Sequence, residues 1–156
     1  MYVPEYISIS MKLKFINLYL FSRYINFIGV NLNYYMLKSY YRHKNILNHN
    51  RIQWTPQFWQ PDCSVDYIVD TIIEEGIDIL CMSVFVWNSD FTYQIAKKVK
   101  EINPSIKILI GGPDVDVLSN NDYFEVHNYV DYVVYGDGEE AFCKILDSIL
   151  DNTPIK

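Results

Sequence analysis

Short apolar segments alternate along this chain with segments whose apolar residues recur every three or four positions. Three of the apolar segments, within 78–88, 106–113 and 130–140, contain or stop at small residues, namely Ser83, Gly111 and Gly112, and Gly136 and Gly138. Continuous apolar strands that alternate with helices form a parallel sheet buried on both faces. Ligands of such sheets bind beyond the carboxyl ends of the strands. The pattern therefore predicts an α/β fold with a site at these small residues, where glycine lets a large ligand approach the backbone.

Five strands follow from the apolar segments and from one alternating segment, and they are predicted at residues 12–20, 51–56, 77–86, 106–110 and 132–135. Pro56 lacks a backbone N–H, so the second strand is placed at an edge of the sheet. After it, Phe58, Trp59 and Pro61 are predicted to form an aromatic loop.

Helical spacing of apolar residues follows the strands. The first helix is predicted to carry one face made of Ile28, Leu32, Tyr35, Met36 and Ser39. The second is predicted to begin at a Ser64 cap and to end at Gly76. The third, for which Asn88, Ser89 and Asp90 are candidate caps, is predicted to bury Phe91, Ile95, Val99 and Ile102. The last helix is predicted to bury Phe142, Ile145, Leu146 and Ile149.

Length and right-handed crossovers favour a flavodoxin-like (Rossmann-like) three-layer sandwich whose five-stranded parallel sheet has the order 2-1-3-4-5. The chain of 156 residues suits one domain. We expect a leader of uncertain order at 1–11, the folded domain at 12–150, and a tail or the start of a linker at 151–156.

Composition and charge narrow the classes of function. Half of the residues are apolar and 21% are charged, which is typical of a globular protein. The net charge of −6 argues against nucleic-acid binding, and no apolar segment approaches the roughly 20 residues of a membrane span. Cys63, Cys81 and Cys143 are too widely spaced for a zinc or iron–sulfur site within the chain. We expect a cytoplasmic, reducing location.

The sequence offers little evidence for nucleotide or nucleophilic chemistry. The segment 136–141 formally fits a dinucleotide-binding pattern, but it follows the last strand, and Glu139 and Glu140 would repel a pyrophosphate. The histidines 43, 49 and 127 are interpreted as surface or helix-end residues, and Cys81 as a small buried residue. Two roles stay open for a set of aromatic side chains. They either contact a flat ligand or an interface, or they pack in the core; the set is Trp54, Phe58, Trp59, Phe85 and Trp87.

Three motifs in the second half resemble a known family. The segments Ser83-Val-Phe-Val-Trp-Asn88, 103–114 (NPSIKILIGGPD) and 129–142 (YVDYVVYGDGEEAF) are similar to the cobalamin (vitamin B12)-binding domain of cobalamin-dependent radical S-adenosylmethionine (SAM) enzymes. The resemblance extends over about residues 12–150 and is close over about 64–150. It implies a cobalamin-binding module in which the serine and the four glycines named above surround the nucleotide tail and the corrin edge.

The resemblance also implies a wider set of cofactor-binding residues. It consists of Asn26, Gly29, Ser83, Val84, Phe85, Gly111, Gly112, Pro113, Gly136, Gly138 and Glu139. Classical cobalamin domains carry D-x-H-x-x-G after the first strand, with the histidine on cobalt. Aligning that glycine with Gly29 puts Tyr24 and Asn26 at the Asp and His positions. We therefore expect no protein ligand on the metal.

The cysteine motif of radical SAM enzymes is absent from this chain, so the chain alone is not expected to perform radical chemistry. The resemblance implies that a 4Fe-4S cluster and SAM would belong to a radical SAM domain, either in cis beyond Lys156 or in trans. Methyl transfer or a related radical modification would be the reaction of the whole enzyme. Two alternatives stay open: a small flavodoxin-like nucleotide-binding or glycosyltransferase-type domain, and a degenerate interaction module without a ligand.

Overall fold

A computed structural model describes residues 11–18, 32–59, 62–115 and 120–155. Its strands are β1 (Met11–Leu18), β2 (Ile52–Trp59), β3 (Ile79–Ser83), β4 (Lys107–Gly111) and β5 (Tyr132–Val134). All the paired strands are parallel, and hydrogen-bonded neighbours give the order β2-β1-β3-β4-β5. The carboxyl ends of the strands therefore lie at one end of the sheet.

Helices alternate with these strands. They are α1 (Leu32–Lys44), α2 (Ile46–His49), α3 (Val65–Glu74), α4 (Ser89–Ile102), α5 (Asn120–Val126) and α6 (Glu139–Asp151). The prediction of an α/β fold built on a parallel sheet is confirmed. None of the helices in the described part of the chain is long and apolar enough to cross a membrane.

Two hydrophobic cores cover the two faces of the sheet, because neighbouring residues of a strand point to opposite faces. Leu80 and Met82 face a core shared with α3, α4 and α5, whereas Ile79 and Cys81 face a core shared with α1 and α6. Each fully buried aliphatic side chain contributes about 1.5–3 kcal/mol of hydrophobic stabilisation. Burial on both faces explains why these strands are apolar throughout.

The predicted start and end of α3 are confirmed. The Ser64 hydroxyl accepts a hydrogen bond from the Tyr67 backbone N–H, as a helix cap should. Gly76 follows the helix with a φ of +57°, a conformation that glycine adopts without strain. The predicted buried face of α6 also packs into the core that Ile79 and Cys81 face.

The second strand is longer than predicted. Trp59, assigned to an aromatic loop, is the last residue of β2 and is buried against α3, where its ring meets Tyr67 edge-on. Pro56 lies inside β2, which is possible because β2 is at the edge of the sheet. The predicted loop residue Pro61 lies outside the described residues.

The predicted buried face of α1 is wrong. Tyr35 and Met36 are each 49% exposed, and Tyr34 and Tyr41 are buried instead. Burial of Tyr41 is possible because its hydroxyl donates a hydrogen bond of 2.6 Å to Asp147 on α6. Of the other residues assigned to that face, Ser39 is exposed, and neither Ile28 nor the Leu32 side chain belongs to the described part.

The predicted face of α4 is partly wrong. Ile102, in the last turn, is 56% exposed, whereas Thr92 and Ala96 are buried beside Ile95 and Val99. The helix extends beyond the core at this end, so that its last apolar residue has no sheet to cover.

Candidate functional site

A cavity of about 410 Å³ lies at the carboxyl ends of β3, β4 and β5, between α1 and α6. The last residue of β3 and the loop after it contribute Ser83 and Phe85 to its lining. The last residue of β4 and the turn after it contribute Gly111, Gly112 and Pro113. The cavity therefore lies at the end of the sheet where the sequence predicts a ligand.

The loop after β5 supplies the remaining predicted lining residues, Gly136, Gly138 and Glu139. Val84, also predicted to bind the ligand, has a fully buried side chain and does not line the cavity. Asn26 and Gly29 lie outside the described residues. The structure thus brings together eight of the eleven predicted site residues, from three separate loops.

Two of the four glycines are required by the fold itself. Gly112 has a φ of +121°, and a Cβ added there would lie 2.4 Å from the Val84 carbonyl oxygen. Gly136 has a φ of +68°, although nothing lies within 4 Å of its added Cβ. Both positions need glycine for backbone reasons. Close approach at Gly112 is made by the backbone of Val84, in place of the ligand that the sequence suggests.

The other two glycines are not required by the fold. A Cβ at Gly111 would meet only Val134, at 3.5 Å or more, and a Cβ at Gly138 would meet Val134 Cγ1 at 3.5 Å. These are ordinary van der Waals contacts, and neither residue has a positive φ. The absence of a side chain at Gly111 and Gly138 therefore keeps space open in the cavity without serving the backbone.

Helix α1 supplies lining residues that the sequence did not reveal. Asn33, Met36 and Leu37 line the cavity, and the Asn33 side-chain amide donates a 3.4 Å hydrogen bond to the Ser83 hydroxyl. Met36 is exposed on the side of α1 that was predicted to be buried. No local signal identifies Asn33, because its partner is 50 residues away along the chain.

The loop between β3 and α4 is held by Asn88. Its side-chain oxygen accepts a 2.7 Å hydrogen bond from the Phe85 N–H, and its amide donates a 3.0 Å bond to the Ser83 carbonyl. The same loop bonds to the turn after β4, since the Val84 N–H donates to the Gly111 carbonyl and the Val84 carbonyl accepts from Asp114. The two loops form one hydrogen-bonded unit.

Only part of the predicted aromatic set lies near the cavity. Phe85 and Trp87 stack with their ring centroids 4.8 Å apart and nearly parallel, and Trp87 is exposed. Trp54 instead packs against Tyr34, Tyr41 and other rings beneath α1, which gives it a core role. Trp59 is in the opposite core, and nothing is described for the Phe58 side chain.

The cavity wall is largely uncharged. Burial raises the pKa of the Cys81 thiol far above its usual range, so this lining residue remains neutral. Glu140 lies away from the lining: it accepts a hydrogen bond from Tyr40 and pairs with Lys44, and both contacts lower the pKa of its carboxyl group. Glu139 is the one carboxylate among the described lining residues.

None of the described histidines lines the cavity. His43 is exposed, His49 stacks on Trp54, and His127 stacks on Tyr93. Within the described ranges, no group of three or more His, Cys, Asp or Glu side chains could hold a metal ion. The described lining residues are mostly small or apolar.

Comparison with known proteins agrees with this geometry. The family model described as B12 binding domain matches residues 26–146. The cobalamin-dependent radical SAM methyltransferase TokK of Streptomyces tokunonensis is 39% identical over 90 residues, which cover 58% of this chain and 13% of TokK. The 2-(S-pantetheinyl)-carbapenam-3-carboxylate methyltransferase of Streptantibioticus cattleyicolor is 39% identical over 93 residues, which cover 56% of this chain and 14% of that enzyme.

A solved structure shares the fold. The apo, selenomethionine-labelled cobalamin-dependent S-adenosylmethionine radical enzyme OxsB superposes with a TM-score of 0.57 at 13% identity, over 94% of this chain and 19% of OxsB. The matched part of this chain thus spans about one seventh of the length of the two curated relatives. Because the family model covers well over half of the 156 residues, this chain belongs to the B12-binding domain family, whose cofactor is cobalamin.

Proposed function

We propose that this chain is the cobalamin-binding module of a radical SAM methyltransferase and that it presents the corrin to the radical SAM domain. The observation that supports this most directly is the pair Gly111 and Gly138. Both line the cavity, and the fold would accept a side chain at either position. The backbone does not require glycine at these positions, so the space left by the two missing side chains is explained by a bulky ligand that passes close to both residues.

The proposed cofactor-binding residues come from the three loops at the cavity. Ser83 offers a hydroxyl group, Phe85 and Pro113 offer apolar contact, and Glu139 lies at the start of α6. Gly112 and Gly136 shape the loops. Val84 contributes through its backbone bonds to Gly111 and Asp114, and Asn26 and Gly29 remain proposed contacts.

Cobalamin, when bound, supplies a cobalt that accepts and delivers a methyl group. The chain itself supplies shape, burial and orientation. We infer that no histidine of this chain ligates the metal, a proposal that fits the positions of the histidines outside the cavity lining. An electron paramagnetic resonance spectrum of the cobalt(II) form tests this point, since nitrogen hyperfine splitting that disappears in His43→Ala or His49→Ala would contradict it.

The remaining chemistry is assigned to a radical SAM domain that carries the 4Fe-4S cluster and SAM. The great length of the two relatives compared with this chain supports such a domain in cis, and partnership in trans remains the alternative arrangement.

We further propose that the cobalamin-binding domain spans residues 12–150 and has the flavodoxin-like, three-layer sheet of order 2-1-3-4-5. The pairing of β1 with both β2 and β3 supports that order. The free thiols of Cys63, Cys81 and Cys143 support a cytoplasmic location.

Incubation with hydroxocobalamin followed by desalting tests the proposal. We expect the protein to retain a corrin absorption spectrum and to melt at a higher temperature, because a ligand that binds only the folded state stabilises it. The same measurement with nucleotides is the comparison. A protein that loses all cobalamin on desalting but is stabilised by a nucleotide would contradict the proposal and favour the nucleotide-binding alternative.

A further inference from the structure

Asn88 occupies the position before α4 where an asparagine ordinarily caps a helix. Its side chain is nevertheless not used in this way: no side-chain hydrogen bond caps α4. The residue is 1% exposed, and its carbonyl oxygen and amide nitrogen both point back to the preceding loop. The helix-capping role that the sequence suggests therefore does not explain the placement of this side chain.

The two bonds of Asn88 require a group that is acceptor and donor at once. Its oxygen accepts from the Phe85 N–H and its nitrogen donates to the Ser83 carbonyl. A carboxylate can replace only the acceptor, whereas alanine replaces neither. Because the side chain is buried, the loss of either bond would leave a loop backbone group without this partner.

These bonds lie directly beneath the cavity lining. Ser83 and Phe85, the two residues that Asn88 holds, both line the cavity, whereas Asn88 itself does not. Between them, Val84 bonds to Gly111 and Asp114 of the neighbouring turn. A change in the loop after β3 would therefore also shift the turn after β4.

We propose that Asn88 is a positioning residue of the cobalamin site, which fixes the loop after β3 in the shape that receives the cofactor. The inference rests on the proposed function. Asn88 is not expected to contact cobalamin directly. Replacing it by a residue that caps a helix equally well is nevertheless expected to weaken cobalamin binding.

The experiment compares Asn88→Ala, Asn88→Asp and the control Ser64→Ala in the 156-residue chain. Aspartate caps a helix as well as asparagine does, so Asn88→Asp keeps any capping role while it places a carboxylate oxygen against the Ser83 carbonyl. Ser64→Ala removes a true helix cap outside the cavity lining. For each protein, the dissociation constant for hydroxocobalamin is measured by absorbance titration, and the melting temperature without cofactor is measured separately.

Both Asn88 variants are expected to bind cobalamin about ten-fold more weakly or worse, since each loses at least one buried hydrogen bond. Ser64→Ala is expected to melt at a lower temperature and to bind as the unchanged protein does. Full binding by Asn88→Asp would show that capping suffices and would overturn the inference, as would full binding by Asn88→Ala. If Asn88→Ala does not fold, Asn88→Asp decides alone.

Hydrogen exchange at the Phe85 amide separates failure of this inference from failure of the proposed function. If the unchanged chain does not bind cobalamin, the proposed function is wrong, yet the loop can still be tested. The Phe85 amide is expected to be protected and to exchange faster in Asn88→Ala, because that variant lacks the side-chain oxygen that accepts its hydrogen bond. Equal exchange rates in the two proteins would show that Asn88 does not hold the loop.

Discussion

The two ends of the parallel sheet are built from different chemistry. At the amino end, the Asp131 carboxylate accepts hydrogen bonds from Lys100 at 2.7 Å, from Lys107 at 3.2 Å and from the Ile108 N–H at 2.9 Å. At the carboxyl end, glycines, a serine and apolar side chains surround a cavity of about 410 Å³. One end is closed by charged and polar contacts, whereas the other is left open.

A second polar cluster closes the amino end on the other face of the sheet. Asp147 of α6 accepts hydrogen bonds from Tyr41, Asn45 and Asn48, all between 2.6 and 2.9 Å. Arg51, just before β2, reaches Asp151 and the Leu150 carbonyl. These bonds join α6 to α1, to α2 and to the residue before β2, at the end of the sheet opposite the cavity. Substitutions at the amino end should therefore change stability, and those at the carboxyl end should change cofactor binding.

Gly112 is the strongest exception to this division, because it lies at the open end but serves the backbone. Gly112→Ala combines a strained positive φ with a clash against Val84, and we expect it to lower the free energy of unfolding by about 3 kcal/mol or more. Urea denaturation measures the loss. Gly76→Ala is the control, since Gly76 also has a positive φ but has nothing within 4 Å of its added Cβ. An equal loss of unfolding free energy in both variants would show that the contact with Val84 does not contribute to the effect.

Asp131→Ala should separate stability from binding. It removes the acceptor for two ammonium groups and one backbone N–H, and hydrogen bonds to charged groups contribute about 1.5–3 kcal/mol each. Because Asp131 is only 18% exposed, we expect unfolding to become easier by about 2–3 kcal/mol. The dissociation constant for cobalamin should stay the same. The exposed pair Lys98–Asp66 offers the control: Asp66→Ala should cost less than about 1 kcal/mol. A weakened cofactor affinity in Asp131→Ala would show that the two ends are coupled.

Gly111→Ala and Gly138→Ala should show the reverse behaviour. Each added Cβ makes only ordinary contacts with Val134, so the free energy of unfolding should change by less than about 1 kcal/mol. Each should weaken cobalamin binding about ten-fold or more, because overpacking against a bound ligand costs about 1–3 kcal/mol. Absorbance titration measures the affinity. Undiminished affinity in both folded variants would remove these glycines from the site.

Ser83→Ala should give the smallest effect. The hydroxyl accepts a long bond from Asn33 and keeps its own hydrogen available for a ligand acceptor. Loss of one neutral hydrogen bond is worth about 0.5–1.5 kcal/mol, so that binding should weaken only several-fold. Asn33→Ala provides the comparison, since it removes the partner but keeps the hydroxyl. If Ser83→Ala changes the melting temperature of the free protein but not the affinity, the serine has a structural role.

Local sequence determined much of this molecule. The continuous apolar segments of β3 and β4, the Ser64 cap and the Gly76 stop follow from short-range physics: burial on two faces, unsatisfied helix ends and the freedom of glycine at positive φ. The motif that ends in Asn88 and the glycine pairs predicted the end of the sheet at which the cavity lies. Eight of the eleven predicted site residues line one cavity for this reason.

Tertiary packing decided what local patterns leave undetermined. The sequence could not show that Tyr34 and Tyr41, in place of Tyr35 and Met36, are buried. Burial of Tyr41, for example, depends on a hydrogen bond to Asp147, which is 106 residues away along the chain. Likewise, all four glycines look equivalent in sequence, yet only the structure shows that Gly112 and Gly136 have a positive φ and that Val84 approaches Gly112. The backbone does not require glycine at Gly111 or Gly138. Periodicity encodes which residues can be buried, but contacts between distant segments decide which of them are.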